Sequence, residues 1–525
     1  MPVPHRTCRC TLNSERPTHR RTAAEKPAVL FTTAIFICVF LPVVLAGYFL
    51  IGKWWHSAAA LWLFVASVFF YGYWMPEFTL LLLASVVGNF VVGALIAAQA
   101  DAPDASKRAR SKRWMVFGVA TNLTLLAYYK YTNFFVDSVN AALGAQWELA
   151  RVVLPIGISF FTFTQIAYLV DTWRNGVREH NFAHYGLFVT YFPHLIAGPV
   201  LHHSQMMPQF RERATYRFNS GNFSAGLAIF ALGLFKKVVL ADGVSAYADP
   251  VFAAADAGVS PSFQEAWLGA AAYTLQLYFD FSGYSDMAIG LSWMFNVRLP
   301  FNFNSPYKAT NISDFWRRWH MSLSQFLRDY LYIALGGNRR GNARRYANLL
   351  TTMVLGGLWH GASWSFVIWG FLHGLYLCLN LGFRALCKRS VRTWMDGSRV
   401  YSAFAWLLTM LSVIVAWVLF RAETLPGAVR ILRSMGSPQF AEPMHTLLWN
   451  SGLHLSTGGL WCLVLFAIVV LAPNSNRIGD KLLVVCAQRR RVMAFVGGAA
   501  FAAVAFMLIV NTLRDSVSAF IYFNF

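Results

Sequence analysis

The sequence predicts an all-α polytopic membrane protein built from about ten to twelve transmembrane helices. Three observations carry that prediction. Of the 525 residues, 57% are apolar and only 13% charged, against ~45–50% and ~25% in soluble domains. The apolar residues gather into stretches close to the ~20 residues needed to cross a ~30 Å hydrocarbon core. The basic residues that give a net charge of +21 fall largely in short loops between those stretches, as the positive-inside rule requires. That distribution argues against a nucleic-acid partner and for contact with a lipid bilayer.

In chain order the apolar stretches are Phe31–Ile51, Ser57–Trp74, Phe78–Ala98, Trp114–Phe134, Val152–Val170 and Phe223–Leu240. They continue with Tyr273–Phe295, Tyr346–Trp359, Trp364–Phe383, Ser402–Phe420, Leu460–Leu471 and Met493–Val510. The basic loops Lys107–Arg113, Arg339–Arg345, Arg384–Arg399 and Arg489–Arg491 are expected on the cytoplasmic side. Seven scattered cysteines, with Cys8 and Cys10 forming only a CxC, give neither a disulfide framework nor a zinc site. Residues 1–28 form a basic extension without an apolar run or a cleavage site, and 29–525 form one membrane domain. A cytoplasmic Lys107–Arg113 loop puts that basic extension outside, where it is disfavoured; a translation start at Val29 removes the conflict, and a start at Met1 with a disordered extension is the alternative.

Two regions are irregular. Leu299–Arg345 opens with "LPFNFNSPYKATNISDFW", rich in Pro and Asn. Ser313 then reads as a helix N-cap with Asp314 in the first turn. The segment that follows has Trp316, Leu323, Leu327 and Leu331 on one stripe, flanked by Trp319, Phe326 and Tyr330, which reads as one amphipathic helix. His320 belongs to its apolar side. Tyr191–Phe210 holds three prolines and cannot be one straight span, so it is expected as a re-entrant segment covered by protein or facing a cavity.

The chemistry-bearing residues are sparse. His360 lies about 22 Å along a helix from Arg345, well inside the hydrocarbon zone. Gly356, Gly357 and Gly361 around it permit close helix packing. An intramembrane ionisable group is a functional candidate, and a desolvated neutral imidazole is a competent general base. His320 is the second candidate. His373, 13 residues past His360, reads as structural, and His194, His202 and His203 stay ambiguous. Asp280 and Asp286 stand in an apolar helix and are expected to pair with Arg317, Arg318 or Arg328, or to orient a catalytic histidine. No HExxH or other metal spacing is present, and no Walker A, GxGxxG or GxSxG, so ATP-driven transport, dinucleotide chemistry and serine hydrolysis lack a motif. On these residues alone a proton-coupled transporter and an enzyme are both open.

Longer motifs separate them. "TLQLYFDFSGYSDMAIGLSWMF", "FNFNSPYKATNISDFWRRWHMSLSQFLRDYLYIALGGNRRG" and "LGGLWHGASWSFVIWGFLHG" resemble the bacterial branch of the membrane-bound O-acyltransferase (MBOAT) family. So do "LPIGISFFTFTQIAYLVD", "YFPHLIAGPV", "GLFKKVVLAD" and the terminal "FIYFNF". Within that branch the match is to the alginate O-acetylase AlgI group, with the D-alanyl transferase DltB a relation. The resemblance implies helices around a tunnel through the membrane and two signature histidines, His320 in "RRWHMSLS" and His360 in "LWHGASW". It implies His360 as the base that takes the acceptor's hydroxyl proton, and His320 as the residue that orients the donor or stabilises developing negative charge. Asp280, Ser282, Asp286, Arg317, Arg318, Trp319, Trp359 and His373 are expected along the tunnel or near the substrate. No bound cofactor is implied: acetyl-CoA or another acyl thioester is the donor substrate. The acceptor implied is an exported polysaccharide such as alginate, reached with periplasmic acetylation-complex proteins at the bacterial inner membrane. D-alanyl transfer and peptidoglycan O-acyl transfer are the alternatives within the family.

Overall fold

A computed structural model describes residues 31–100, 105–513 and 520–521. The basic extension, Val29 and most of the terminal "FIYFNF" lie outside the described residues. All twelve apolar stretches are helical for most of their length, and every regular element among the described residues is a helix. Six helices are by themselves long and apolar enough to cross a membrane: His56–Trp74, Pro76–Gln99, Ser220–Asp256, Trp364–Leu386, Arg399–Arg421 and Arg490–Thr512. Leu455–Leu471 and Ser475–Gln488, bent by 54°, form a seventh as a pair. The remaining stretches of the ten to twelve are shorter, broken by irregular turns, or carry polar groups that face protein instead of lipid. The Arg490–Thr512 helix shows the lipid-facing pattern most plainly, with Phe495, Phe501 and Phe506 all exposed.

The axis of the molecule is Phe263–Met294, a helix of 32 residues, about 48 Å long at 1.5 Å per residue. Ser262 caps it and Glu265 returns the bond to the Ser262 backbone, a reciprocal capping box. Nearly every residue from Ala266 onward is buried. Ser220–Asp256 packs antiparallel on this axis through glycines: Gly226 meets Gly290, and Gly233 meets Gly283. A Cβ at any of the four would run into the facing carbonyl oxygen, so these backbones approach as closely as small residues allow. That register brings Lys236 and Lys237 opposite the two aspartates of the axis.

A second close pair is the hairpin of Gly341–His360 and Trp364–Leu386. Gly357 lies against the Phe366 carbonyl and Gly370 against the Met353 carbonyl. His360 is therefore the last residue of a helix pressed onto its successor.

The Leu299–Arg345 region differs from expectation in two ways. The N-cap is Asn311, whose side chain accepts from the Asp314 amide at 2.9 Å, and Ser313 sits one residue inside the helix Ile312–Arg318. The amphipathic stripe is not one helix either, because the chain breaks at Trp319 and His320 before resuming as Met321–Phe326. His320 adopts φ +43°, ψ +55°, a left-handed conformation uncommon outside glycine. The break is held by the preceding loop: Asn304 N donates to Arg318 O and Met321 N to Asn302 O, both at 2.9 Å. Backbone bonds to a neighbouring segment replace helical ones there, which a periodicity argument does not register.

Tyr191–Phe210 is re-entrant in form, with a short helix Phe192–Leu195, an irregular turn, and a helix His203–Arg211. Residues 191–203 are buried throughout. Val200 N donates to Ser322 Oγ at 3.0 Å, tying this segment to the one that carries His320.

Candidate active site

His320 and His360 come together. Their ring centroids are 6.3 Å apart, and both side chains are buried. His360 reaches this point on the end of the glycine-packed hairpin and is enclosed by Trp359, Trp369 and Phe420, with ring centroids 5.0, 5.3 and 5.3 Å away. His320 reaches it from the broken helix, with Phe281 of the central axis packed edge-on at 4.9 Å.

The tautomer of His320 follows from its neighbours. Its Nδ1 lies 3.0 Å from Asn302 Oδ1. The Ser322 backbone N–H points at the same Asn302 atom at 3.4 Å, and the Ser322 hydroxyl at 2.9 Å. A backbone N–H can only donate, so that Asn302 atom is the oxygen. His320 Nδ1 therefore carries the proton, and its Nε2 is the acceptor nitrogen.

His373 is separated from the pair. Trp369 stands between, 4.8 Å from His373 and 5.3 Å from His360. Trp316 Nε1 donates to His373 Nδ1 at 3.3 Å, and the ring lies parallel to Phe315.

The aspartates are placed differently from expectation. Asp280 pairs with Lys237 and Asp286 with Lys236, each at 2.6 Å, and Lys237 also meets Asp242 at 2.8 Å. None of the expected arginines is the partner: Arg318 pairs with Asp314, Arg328 with Asp329, and Arg317 is exposed. The correction has a simple cause. The glycine register brings two lysines from within an apolar span face to face with the axis, and desolvated carboxylates need the nearest cation. Asp280 Oδ2 also accepts the Ile521 amide at 3.0 Å, so this ion cluster anchors a terminal residue. Ser282 is buried on the axis. Trp319 stacks on Phe315 and Tyr307, and Trp359 stacks on Phe163 at 5.2 Å.

Two openings lie near the site. One is a cleft of ≈ 760 Å³ that reaches Gly361, Ser363, Phe366, Phe420 and Ile521. It adjoins a second of ≈ 560 Å³, sharing Lys130, Ala362, Ser363 and Glu423. The other opening, ≈ 350 Å³, lies at Asp171, His202 and Tyr330. There Tyr330 donates to Asp171 at 2.9 Å and sits 3.1 Å from His202 Nδ1. Asp171 is about 18 Å along the helix Ile158–Asn175 from Ser159, which neighbours the first cleft. Between the openings run packed rings: Tyr330 to Phe326 at 4.8 Å, Phe326 to Phe163 at 4.3 Å, then Phe163 to Trp359. His194 and His203 are buried away from the pair, His194 against the Phe188 carbonyl and His203 3.9 Å from Glu179.

Sequence reasoning missed Lys130, Lys236, Lys237 and Asn302. The three lysines carried a usable signal, since each is a charge inside an apolar stretch. Asn302 carried none, because its role depends on where a loop folds back.

Comparison with known proteins fits this arrangement. Residues 68–420 match the model of the membrane-bound O-acyltransferase family. A peptidoglycan O-acetyltransferase of Helicobacter pylori is 37% identical, over 95% of this chain and 98% of its own length. A probable alginate O-acetylase of Pseudomonas aeruginosa is 43% identical, over 83% of this chain and 81% of its own. A teichoic acid D-alanyltransferase of Bacillus subtilis is 26% identical over 51% of this chain. With several helices able to cross a membrane and two buried imidazoles beside a cleft, the chain is a multi-pass acyltransferase that belongs to the membrane-bound O-acyltransferase family.

Proposed function

We propose that this chain transfers an acetyl group from a cytoplasmic acyl thioester, acetyl-CoA by default, to a hydroxyl of an exported polysaccharide, alginate first, in the bacterial inner membrane. The observation that carries the proposal is the pair of buried imidazoles 6.3 Å apart, with a large cleft at Gly361 and Phe420 next to His360. The acceptor hydroxyl enters by the larger cleft and the thioester from the side of Asp171 and Tyr330, which the basic loops make cytoplasmic. His360 takes the hydroxyl proton as the oxygen attacks the thioester carbonyl. The C–S bond then breaks, the proton passes to the leaving thiolate, and the ester is formed. Packed aromatic rings around the pair limit attack by water.

His320 is assigned a narrower role than its motif implies. With Nδ1–H held by Asn302, its buried Nε2 is left as an acceptor, so it orients a donor hydrogen or receives a proton. It cannot act as an oxyanion donor until protonated. Arg317 and Arg318 are assigned to lipid headgroups or an anionic donor, and acetylation-complex proteins on the far side to delivering the polymer.

Peptidoglycan O-acetylation is the second reading, favoured by the relative that this chain matches over 98% of that protein's length. The experiment is reconstitution in vesicles with radiolabelled acetyl-CoA and either alginate or peptidoglycan strands on the opposite side. Label on one glycan and not the other names the acceptor. Label on neither, or full transfer by both His360→Ala and His320→Ala proteins, overturns the proposal.

A further inference from the structure

The helix Gly341–His360 stops at the residue on which the proposed chemistry turns, and a helix end leaves its last carbonyls without intrahelical donors. Two consecutive residues of a π-helical turn, Ala127–Tyr131, meet them. Tyr131 Oη donates to Leu358 O at 3.1 Å. Lys130 Nζ donates to Trp359 O and, at 3.3 Å, to His360 O. The third ammonium proton points at Ser159 Oγ, also at 3.3 Å. Single π-turns inside α-helices recur at functional sites.

Lys130 is unlike the other buried lysines. Lys236 and Lys237 face carboxylates. The protons of Lys130 go to three oxygens that carry no full charge, at the negative end of a helix dipole. Its side chain is buried, yet it lines both parts of the large cleft. The two carbonyls it holds are those on either side of the His360 Cα, so the ammonium fixes the peptide planes from which the imidazole projects.

We propose that Lys130 is a positioning residue for acyl transfer, setting where the His360 ring stands relative to the cleft through the two carbonyls that flank it. This rests on the assignment of His360 as base, and its test separates the two claims. The protein is reconstituted with radiolabelled acetyl-CoA and the glycan it acetylates, and kcat and KM are measured for wild type, Lys130→Met, Lys130→Gln, Lys130→Arg and Tyr131→Phe. Misplacing a reacting group by about 1 Å costs up to ~100-fold, so Lys130→Met is expected to lower kcat about 30-fold with KM for acetyl-CoA within about 2-fold. Lys130→Gln, which keeps an amide donor, is expected in between, and Lys130→Arg is expected to recover most of the rate. Tyr131→Phe, which releases only Leu358 O, is expected within about 3-fold of wild type. An unchanged kcat, a rise in KM alone, or a fall in kcat that only tracks the folded fraction overturns the assignment.

A second readout does not depend on catalysis. Modification of His360 by diethyl pyrocarbonate, followed by peptide mass spectrometry, is expected to change several-fold in Lys130→Met. An unchanged rate overturns the positioning role even if the acyl-transfer reading holds. A changed rate in a protein that transfers no acetyl supports positioning and rejects the chemistry.

Discussion

Two sites in this fold bury polar side chains among apolar ones, and they do it in opposite ways. Along the central axis, Lys236 and Lys237 are matched by Asp286, Asp280 and Asp242 at 2.6–2.8 Å, across backbones locked together by glycine. At the histidine pair the buried groups are imidazoles, which can be neutral, and they are bounded mainly by aromatic rings and a cleft. A charge pair held by short bonds on all sides has no capacity left to take part in a reaction. An imidazole beside a cleft can gain and lose a proton as a substrate arrives. The contrast separates a joint that holds the helices from a site that works between them.

The largest test of that contrast is His360→Ala. Loss of a general base costs about 10²–10⁴-fold in rate, while the cavity left by truncating a buried ring costs about 2–5 kcal/mol of stability. Transfer per folded molecule is expected to fall by that factor, with folded protein still recovered from membranes. If yield collapses along with rate, His360 belongs with the structural site and the contrast is lost.

The reverse pattern is expected from Lys237→Met. Removing one partner of a buried ion pair leaves carboxylates uncompensated, at about 3–5 kcal/mol. Folded protein in detergent is expected to drop sharply, while activity per folded molecule stays within a few-fold. Replacing Lys237, Asp280 and Asp242 together by Met, Leu and Leu is expected to return much of the stability, because the desolvation cost leaves with the charges. If the triple variant is no better than the single one, the cluster is more than a joint.

These two sites were not equally legible. The all-α fold was readable because lipid-crossing helices announce themselves by run length, and all twelve stretches proved helical. Of the candidate residues, His360 was found because titratable groups are rare at its depth, and His320 because it is an imidazole on an apolar stripe within a family motif. Their proximity was implied only by the family resemblance and not by the residue pattern, since it depends on a helix break at His320 that the apolar stripe conceals. The partners of Asp280 and Asp286 were misassigned to arginines nearby in sequence. The glycine spacing that selects Lys236 and Lys237 becomes meaningful only once two helices are laid side by side.

The smallest of the three effects falls on the residue that joins loop to site. Asn302 Oδ1 collects the His320 Nδ1 proton, the Ser322 hydroxyl and the Ser322 amide, and Ser322 in turn accepts from Val200. Three segments thus meet here, two of them on one amide oxygen and the third through Ser322, and that oxygen fixes which His320 nitrogen carries the proton. Asn302→Leu removes the acceptor at similar size. The ring is then expected to populate both tautomers and to rotate, and a lost hydrogen bond of this kind is worth about 1–3 kcal/mol. Transfer is expected to fall about 10-fold, with the loss in kcat. Asn302→Asp keeps an acceptor oxygen and is expected to retain more activity than Asn302→Leu. If Asn302→Asp is instead the worse variant, the requirement at this position is the amide donor, which lies 3.5 Å from Ser285 Oγ, and the His320 tautomer is set by some other group.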